Sequence, residues 1–197
     1  MIAVIKYNAG NIRSVLNALE RIGYEGTLTD DAEIIRKSDH VIFPGVGEAS
    51  SAMAYLKSRG LNDVIKEIRK PFLGICLGMQ LMCAHSEEGD TECLGIFPDT
   101  VKLFPTGRGY KIPHVGWNTV SDLKGPAFSD VSDGEYAYFV HSYYVPFSEY
   151  ASAITEYDDI RFSSALWRDN FIGTQFHPEK SGDMGERILR SFLRWSI

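Results

Sequence analysis

The segment Phe72-Leu73-Gly74-Ile75-Cys76-Leu77-Gly78 limits the possible folds of this chain more than any other. An apolar run that ends in a glycine-flanked cysteine and passes at once into the helix-forming Met79-Gln80-Leu81-Met82 describes a strand that turns into a helix at a single residue. Such a corner is tight and strained, and Gly74 and Gly78 remove the Cβ atoms that would collide in it. The unpaired N–H groups of a helix N-terminus carry partial positive charge, so a thiol held at that corner is biased toward thiolate. The same residues also fit a buried structural cysteine at a strand end, the usual situation of a free thiol.

A second pattern supplies what a thiolate nucleophile needs. Phe171 to Gln175 reads as a short buried strand that runs through Phe176 into His177-Pro178-Glu179. Pro178 disfavours helical geometry at His177, and in an extended segment positions i and i+2 project to one side, so Glu179 is expected to face the His177 ring. A carboxylate on one ring nitrogen selects the tautomer that leaves the other free to exchange a proton with Cys76. A solvated turn is the alternative for these three residues. A third element, Pro44-Gly45-Val46-Gly47, follows the apolar Val41-Ile42-Phe43 and precedes a helix-like stretch from Ala49 to Leu56. Acyl chemistry needs two N–H groups aimed at an oxyanion, one from the residue after the nucleophile, here Leu77, and one from a neighbouring glycine-rich loop. No Gly-Lys-Ser/Thr follows the loop, which excludes a phosphate-binding P-loop and leaves a plain strand-to-helix turn as the alternative.

Strand-like and helix-like segments alternate along the chain, the pattern of a parallel sheet covered by helices. Strands are expected at Ile2 to Lys6, His40 to Phe43, Phe72 to Ile75 and Phe171 to Gln175. A first helix is capped by Asn11, carries Ile12, Val15, Leu16, Leu19 and Ile22 at helical spacing, and stops at Gly23. A last helix opens on Asp183 and Glu186 in a capping-box-like pattern and docks Ile188, Leu189, Phe192, Leu193 and Trp195. From Val101 to Thr155 there is no long helical period, and short antiparallel strands are expected. With 197 residues and 44% hydrophobic content, the chain is read as one domain over 1–197. A net charge of −6 without a basic cluster argues against nucleic acid or an anionic membrane as partner. Cys76, Cys83 and Cys93 are odd in number and lack Cys-x-x-Cys spacing, so neither a disulfide framework nor a zinc site is expected. With no signal peptide or spanning segment in the sequence, a soluble cytoplasmic protein is expected.

Taken together, Pro44-Gly45-Val46-Gly47, Gly74-Ile75-Cys76-Leu77-Gly78-Met79-Gln80 and His177-Pro178-Glu179 resemble a class I, triad-type glutamine amidotransferase domain. Within that class, Tyr7-Asn8-Ala9-Gly10-Asn11-Ile12-Arg13-Ser14-Val15, Pro113-His114-Val115-Gly116-Trp117-Asn118 and Tyr138-Phe139-Val140-His141-Ser142-Tyr143-Tyr144 resemble the glutaminase subunits of imidazole glycerol phosphate synthases. Lys6-Tyr7-Asn8 stands where such subunits more usually carry Asp-Tyr-Gly. The resemblance implies a flavodoxin-like α/β fold, with an open, mostly parallel sheet between helices and extra antiparallel strands in the middle of the chain. It implies Cys76, His177 and Glu179 as catalytic triad and Leu77, Gly47 and Val46 at the oxyanion hole. Gln80, Glu88, Ser142 and Tyr143 would hold L-glutamine, with no metal or other cofactor. A (β/α)₈-barrel cyclase subunit would be the heterodimer partner, meeting Lys180 and receiving the ammonia. Control of a slow basal glutaminase by that partner would sit at Val46. Other amidotransferases of the class, a cysteine peptidase, a γ-glutamyl hydrolase and an inactive binding module remain open on the residues alone.

Overall fold

The computed structural model describes residues 1–7, 12–45, 47–107 and 111–197. The first part of the chain runs β1 (Ile2–Ile5), α1 (Ile12–Arg21), β2 (Gly26–Thr29), α2 (Ala32–Lys37), β3 (His40–Phe43), α3 (Ala49–Ser58), α4 (Leu61–Glu67), β4 (Phe72–Ile75) and α5 (Leu77–Met82). Strands β5 (His85–Ser86), β6 (Thr91–Glu92), β7 (Thr100–Leu103), β8 (His114–Thr119), β9 (Tyr136–His141), β10 (Tyr143–Pro146), β11 (Ala151–Tyr157), β12 (Ile160–Arg168) and β13 (Phe171–Thr174) follow, and α6 (Gly182–Arg194) closes the chain.

Parallel pairing joins β2, β1, β3, β4 and β13 in that order. The sheet then continues antiparallel through β12 and β10 to β7, while β8 and β9 form a separate antiparallel pair. Both faces of the parallel part are covered, and the alternation of side chains along each strand sorts them between two cores. Ala3, Ile5, Val41, Phe43, Phe72 and Phe171 pack on the side of α2 to α5. Ile2, Val4, Ile42, Leu73, Ile75 and Ile172 pack with α1 and α6 on the other.

The expected strands are present, β1 and β13 each ending one residue early. Helix α1 buries Val15, Ala18 and Leu19 and is closed off beyond Arg21 at Gly23, whose φ of +85° lets Tyr24 N–H reach Leu19 C=O at 2.9 Å. The Asn11 cap lies outside the described residues. Strand β2 was not anticipated: it is a sheet edge whose Thr27 and Leu28 are exposed, so it carries no apolar pattern. The capping-box reading of the last helix is corrected. Ser181 occupies the cap position, Asp183 lies inside the first turn, and Glu186 pairs with Arg21 across to α1. Ser181 is drawn away from capping because its hydroxyl donates to His177 C=O at 2.6 Å and accepts from Tyr138 N–H at 3.0 Å.

Candidate active site

Because β3, β4 and β13 are neighbouring parallel strands, the segments that follow them emerge at one edge of the sheet. That edge receives Pro44 and Gly45 from β3, Cys76 from β4 and His177 from β13. The register places Ile75 beside Thr174, and Cys76 N–H continues the ladder to Thr174 C=O at 2.7 Å.

Cys76 has φ 54° and ψ −109°, a conformation that L residues rarely adopt. The corner is held by contacts that admit only glycine on either side. A Cβ on Gly78 would stand 1.9 Å from Phe43 O, and one on Gly74 would stand 2.6 Å from Met82 Cε and 2.9 Å from Gly78 O. Helix α5 is therefore seated directly on the ends of β3 and β4.

His177 and Glu179 are both 1% exposed at the side chain, and His177 Nδ1 meets Glu179 Oε1 at 2.7 Å. The route to this contact differs from the expected one. His177 is extended, at φ −101° and ψ 98°, but Pro178–Lys180 closes into a 3₁₀ turn that folds Glu179 back under the ring. His177 Nε2 is buried and has no oxygen or nitrogen partner among the described residues, while the Cys76 sulfur lies close enough to act on it. Burial disfavours the imidazolium, but the Cys76 sulfur and then the Glu179 carboxylate favour it more strongly, and the His177 pKa is pushed up to about 10. The arrangement thus favours a protonated His177 ring beside the Cys76 sulfur.

Cys76 opens onto a cleft of about 350 Å³, lined also by Gly47, Leu77, Gln80, Glu88 and residues 140–143. All four residues assigned by resemblance to glutamine binding lie in its wall. Gln80 is 4% exposed, and its amide donates to Tyr143 C=O at 3.0 Å and to Gln175 Oε1 at 2.9 Å. Glu88 does not continue the helix after the elbow, which ends at Met82, but sits in the turn between β5 and β6 and accepts Ala49 N–H at 2.9 Å. Burial raises its carboxyl pKa against that hydrogen bond. Ser142 C=O is bonded to Phe104 N–H at 3.0 Å.

The expected oxyanion donors are less simply placed. Leu77 N–H donates to Gly45 C=O at 3.3 Å, Gly47 has φ +124°, and Val46 lies outside the described residues. Lys180 is exposed, with its ammonium 5.8 Å from the centre of the Tyr138 ring.

Two groups at the site were not singled out from sequence. Gln175 is fully buried, and its amide donates to Cys76 Sγ at 3.6 Å. Its place two residues before His177 was the available signal. His114 and His141 form a buried pair behind the cleft wall. His141 Nδ1 donates to Tyr143 C=O at 2.7 Å, so its Nε2 accepts from His114 Nδ1 at 2.9 Å, and His114 Nε2 is left to accept from Asn118 at 3.4 Å. Both rings are thereby neutral, and burial lowers the His114 pKa to about 4 and that of His141 to about 3.

A family model described as glutamine amidotransferase class-I matches residues 3–195. The imidazole glycerol phosphate synthase subunit HisH of Bacteroides fragilis is 59% identical over 194 residues, covering 98% of each chain. The subunit of that name from Bacteroides thetaiotaomicron is 55% identical over 193 residues, again covering 98% of each. A solved structure described as glutamine amidotransferase superposes with a TM-score of 0.75 at 19% identity, covering 98% of this chain and 97% of that one, a likeness of fold.

Proposed function

The chain belongs to the class-I glutamine amidotransferases, and on that premise we propose that it is the glutaminase subunit of an imidazole glycerol phosphate synthase, serving histidine biosynthesis as one domain over 1–197. Cys76 attacks the γ-carboxamide carbon of L-glutamine. The oxyanion forms against N–H groups of Leu77 and the Pro44–Gly47 loop, with Val46 and Gly47 as the loop donors. His177 protonates the departing nitrogen, ammonia leaves, and a γ-glutamyl thioester remains on Cys76. Water then attacks the thioester, gives its proton to His177, and releases glutamate. Glu179 holds the ring in the required tautomer throughout. Gln80, Glu88, Ser142 and Tyr143 form the glutamine pocket.

The observation that carries the reading is the buried Cys76–His177–Glu179 arrangement at the floor of a cleft of amino-acid size. The relatives named above are subunits, and a second subunit must use the ammonia. The reading takes it to be a (β/α)₈-barrel cyclase that makes imidazole glycerol phosphate and aminoimidazole carboxamide ribotide. A closed route to it preserves ammonia in its nucleophilic, unprotonated form. Its docking face is assigned to the β8–β9 hairpin and Lys180. Val115, Trp117 and Tyr136 are exposed there, and Trp117 packs edge-on against Tyr138. Tyr138 C=O accepts His177 N–H at 2.9 Å, so the hairpin is tied directly to the triad. The compartment is taken to be the reducing cytoplasm, where the unpaired, buried Cys76, Cys83 and Cys93 are stable. No helix among the described residues is long and apolar enough to cross a membrane.

The test is Cys76→Ala in the reconstituted pair. Glutamine-dependent synthesis should disappear while synthesis from an ammonium salt persists. Loss of both, or of neither, would refute the assignment.

A further inference from the structure

Tyr7 follows β1 to the edge of the sheet that bears Cys76, and it is 4% exposed, its ring tilted against Phe43 at 5.3 Å. Its hydroxyl is buried and has no hydrogen-bond partner among the described residues, a situation folded proteins rarely leave without a use. Burial first, and then the Cys76 charge, keep the phenol protonated far above its ordinary range, so it stands as a donor. The hydroxyl lies against Gly45: a Cβ there would be 2.3 Å from Tyr7 Oη and 2.7 Å from both Gly78 N and Leu77 Cβ. Gly45 is thus wedged between Tyr7 and the first turn of α5.

The Gly45 carbonyl is at the same time the group that occupies Leu77 N–H, at 3.3 Å. That N–H belongs to the residue after the nucleophile, and a tetrahedral oxyanion on Cys76 needs it. One carbonyl therefore blocks the donor required in the transition state, while a second donor with nothing to bond among the described residues lies against the Cβ side of the same residue. The residue that carries it has no side chain to hinder rotation.

We propose that Tyr7 is a positioning residue for glutamine hydrolysis: its hydroxyl takes over the Gly45 carbonyl and thereby releases Leu77 N–H to the oxyanion. The proposal rests on the reading of Cys76 as an acyl-transfer nucleophile. No bond is lost in the exchange, because Gly45 C=O passes from one donor to another and the freed N–H meets the substrate oxygen. In the resting arrangement the hydroxyl makes no hydrogen bond to the described residues, so its role is assigned to turnover.

The experiment is Tyr7→Phe in the assembled two-subunit synthase, which keeps the ring and removes only the hydroxyl. Glutamine-dependent kcat should fall about three- to tenfold, the effect of one neutral hydrogen bond, with KM within about twofold of the parent. Synthesis from an ammonium salt should be unchanged and the melting temperature should not fall. A kcat within twofold of the parent would overturn the proposal. A lowered melting temperature with equal losses on glutamine and ammonium would also overturn it, by making Tyr7 structural. A parental synthase that uses ammonium but not glutamine would instead refute the amidotransferase reading on which the proposal stands.

Discussion

Replacing both members of the buried histidine pair, as His114→Phe with His141→Phe, should flatten the acid limb of the stability profile. His114 stacks on Tyr157 at 4.0 Å and on Phe139 at 4.9 Å, both at 24°, a setting that suits a phenyl ring. The exchange leaves few polar groups stranded. Tyr143 C=O keeps the Gln80 amide at 3.0 Å, and the Asn118 amide keeps Glu156 C=O at 2.8 Å. Replacing both partners by apolar groups of similar shape is close to neutral, so near pH 7.5 the variant should lie within about 1–2 kcal/mol of the parent. Acid separates them. The folded-state pKa values, about 4 and about 3, lie below the unfolded value of 6.5, so the pair's contribution is fully present above pH 6.5 and is lost as pH falls from there toward 4 and 3. Asp158 favours a charge on His114 and weakens the effect, whereas His114 and His177 oppose one on His141. Over the two pH units between 6.5 and 4.5, each neutral-held ring loses roughly 2 to 3 kcal/mol, so the pair loses about 5 kcal/mol if its members titrate independently and about half that if they act as one site. Urea denaturation at pH 7.5 and 4.5 measures this as a difference of differences, in which carboxylates common to both proteins cancel. Equal pH dependence in parent and double variant would refute the neutral-pair reasoning.

Two further outcomes follow from the elbow. Cys76→Ala should lower the His177 titration midpoint from about 10, because Cys76 provides the larger share of what opposes burial there. Histidine ring NMR measures the midpoint, and an unchanged value would show that Glu179 alone holds the proton. Gly78→Ala must push Phe43 O away from a Cβ placed at 1.9 Å. It should destabilise the protein by about 1–3 kcal/mol or more and abolish glutaminase activity, as urea denaturation and glutamate release would report. A variant of parental stability would mean that α5 can lift off β3 freely.

The principal strands of the parallel sheet were legible because each is a short apolar run bounded by turn residues, and α1 because its apolar residues recur with helical period. The elbow was legible because a nucleophile at a strand-to-helix corner needs glycine at both flanks, a requirement written in contiguous residues. Strand β2 and the true cap of α6 were not. An edge strand is specified by the neighbour it pairs with, and the Ser181 hydroxyl is engaged by Tyr138, distant in the chain, and by the His177 carbonyl.

At the site the division is the same. Residue types and local order determined that this chain carries a cysteine at a corner, a histidine with a carboxylate two positions on, and a glycine loop after a third strand. Only the parallel registers of β3, β4 and β13 decided that these three emerge at one edge, since contacts between distant segments depend on which strands pair and not on local pattern. The same holds for Gln175 against the sulfur, the His114–His141 pair behind Tyr143, and the Tyr7 hydroxyl against Gly45. Each is a polar group whose partner, or lack of one, is set by what the closed core leaves within reach.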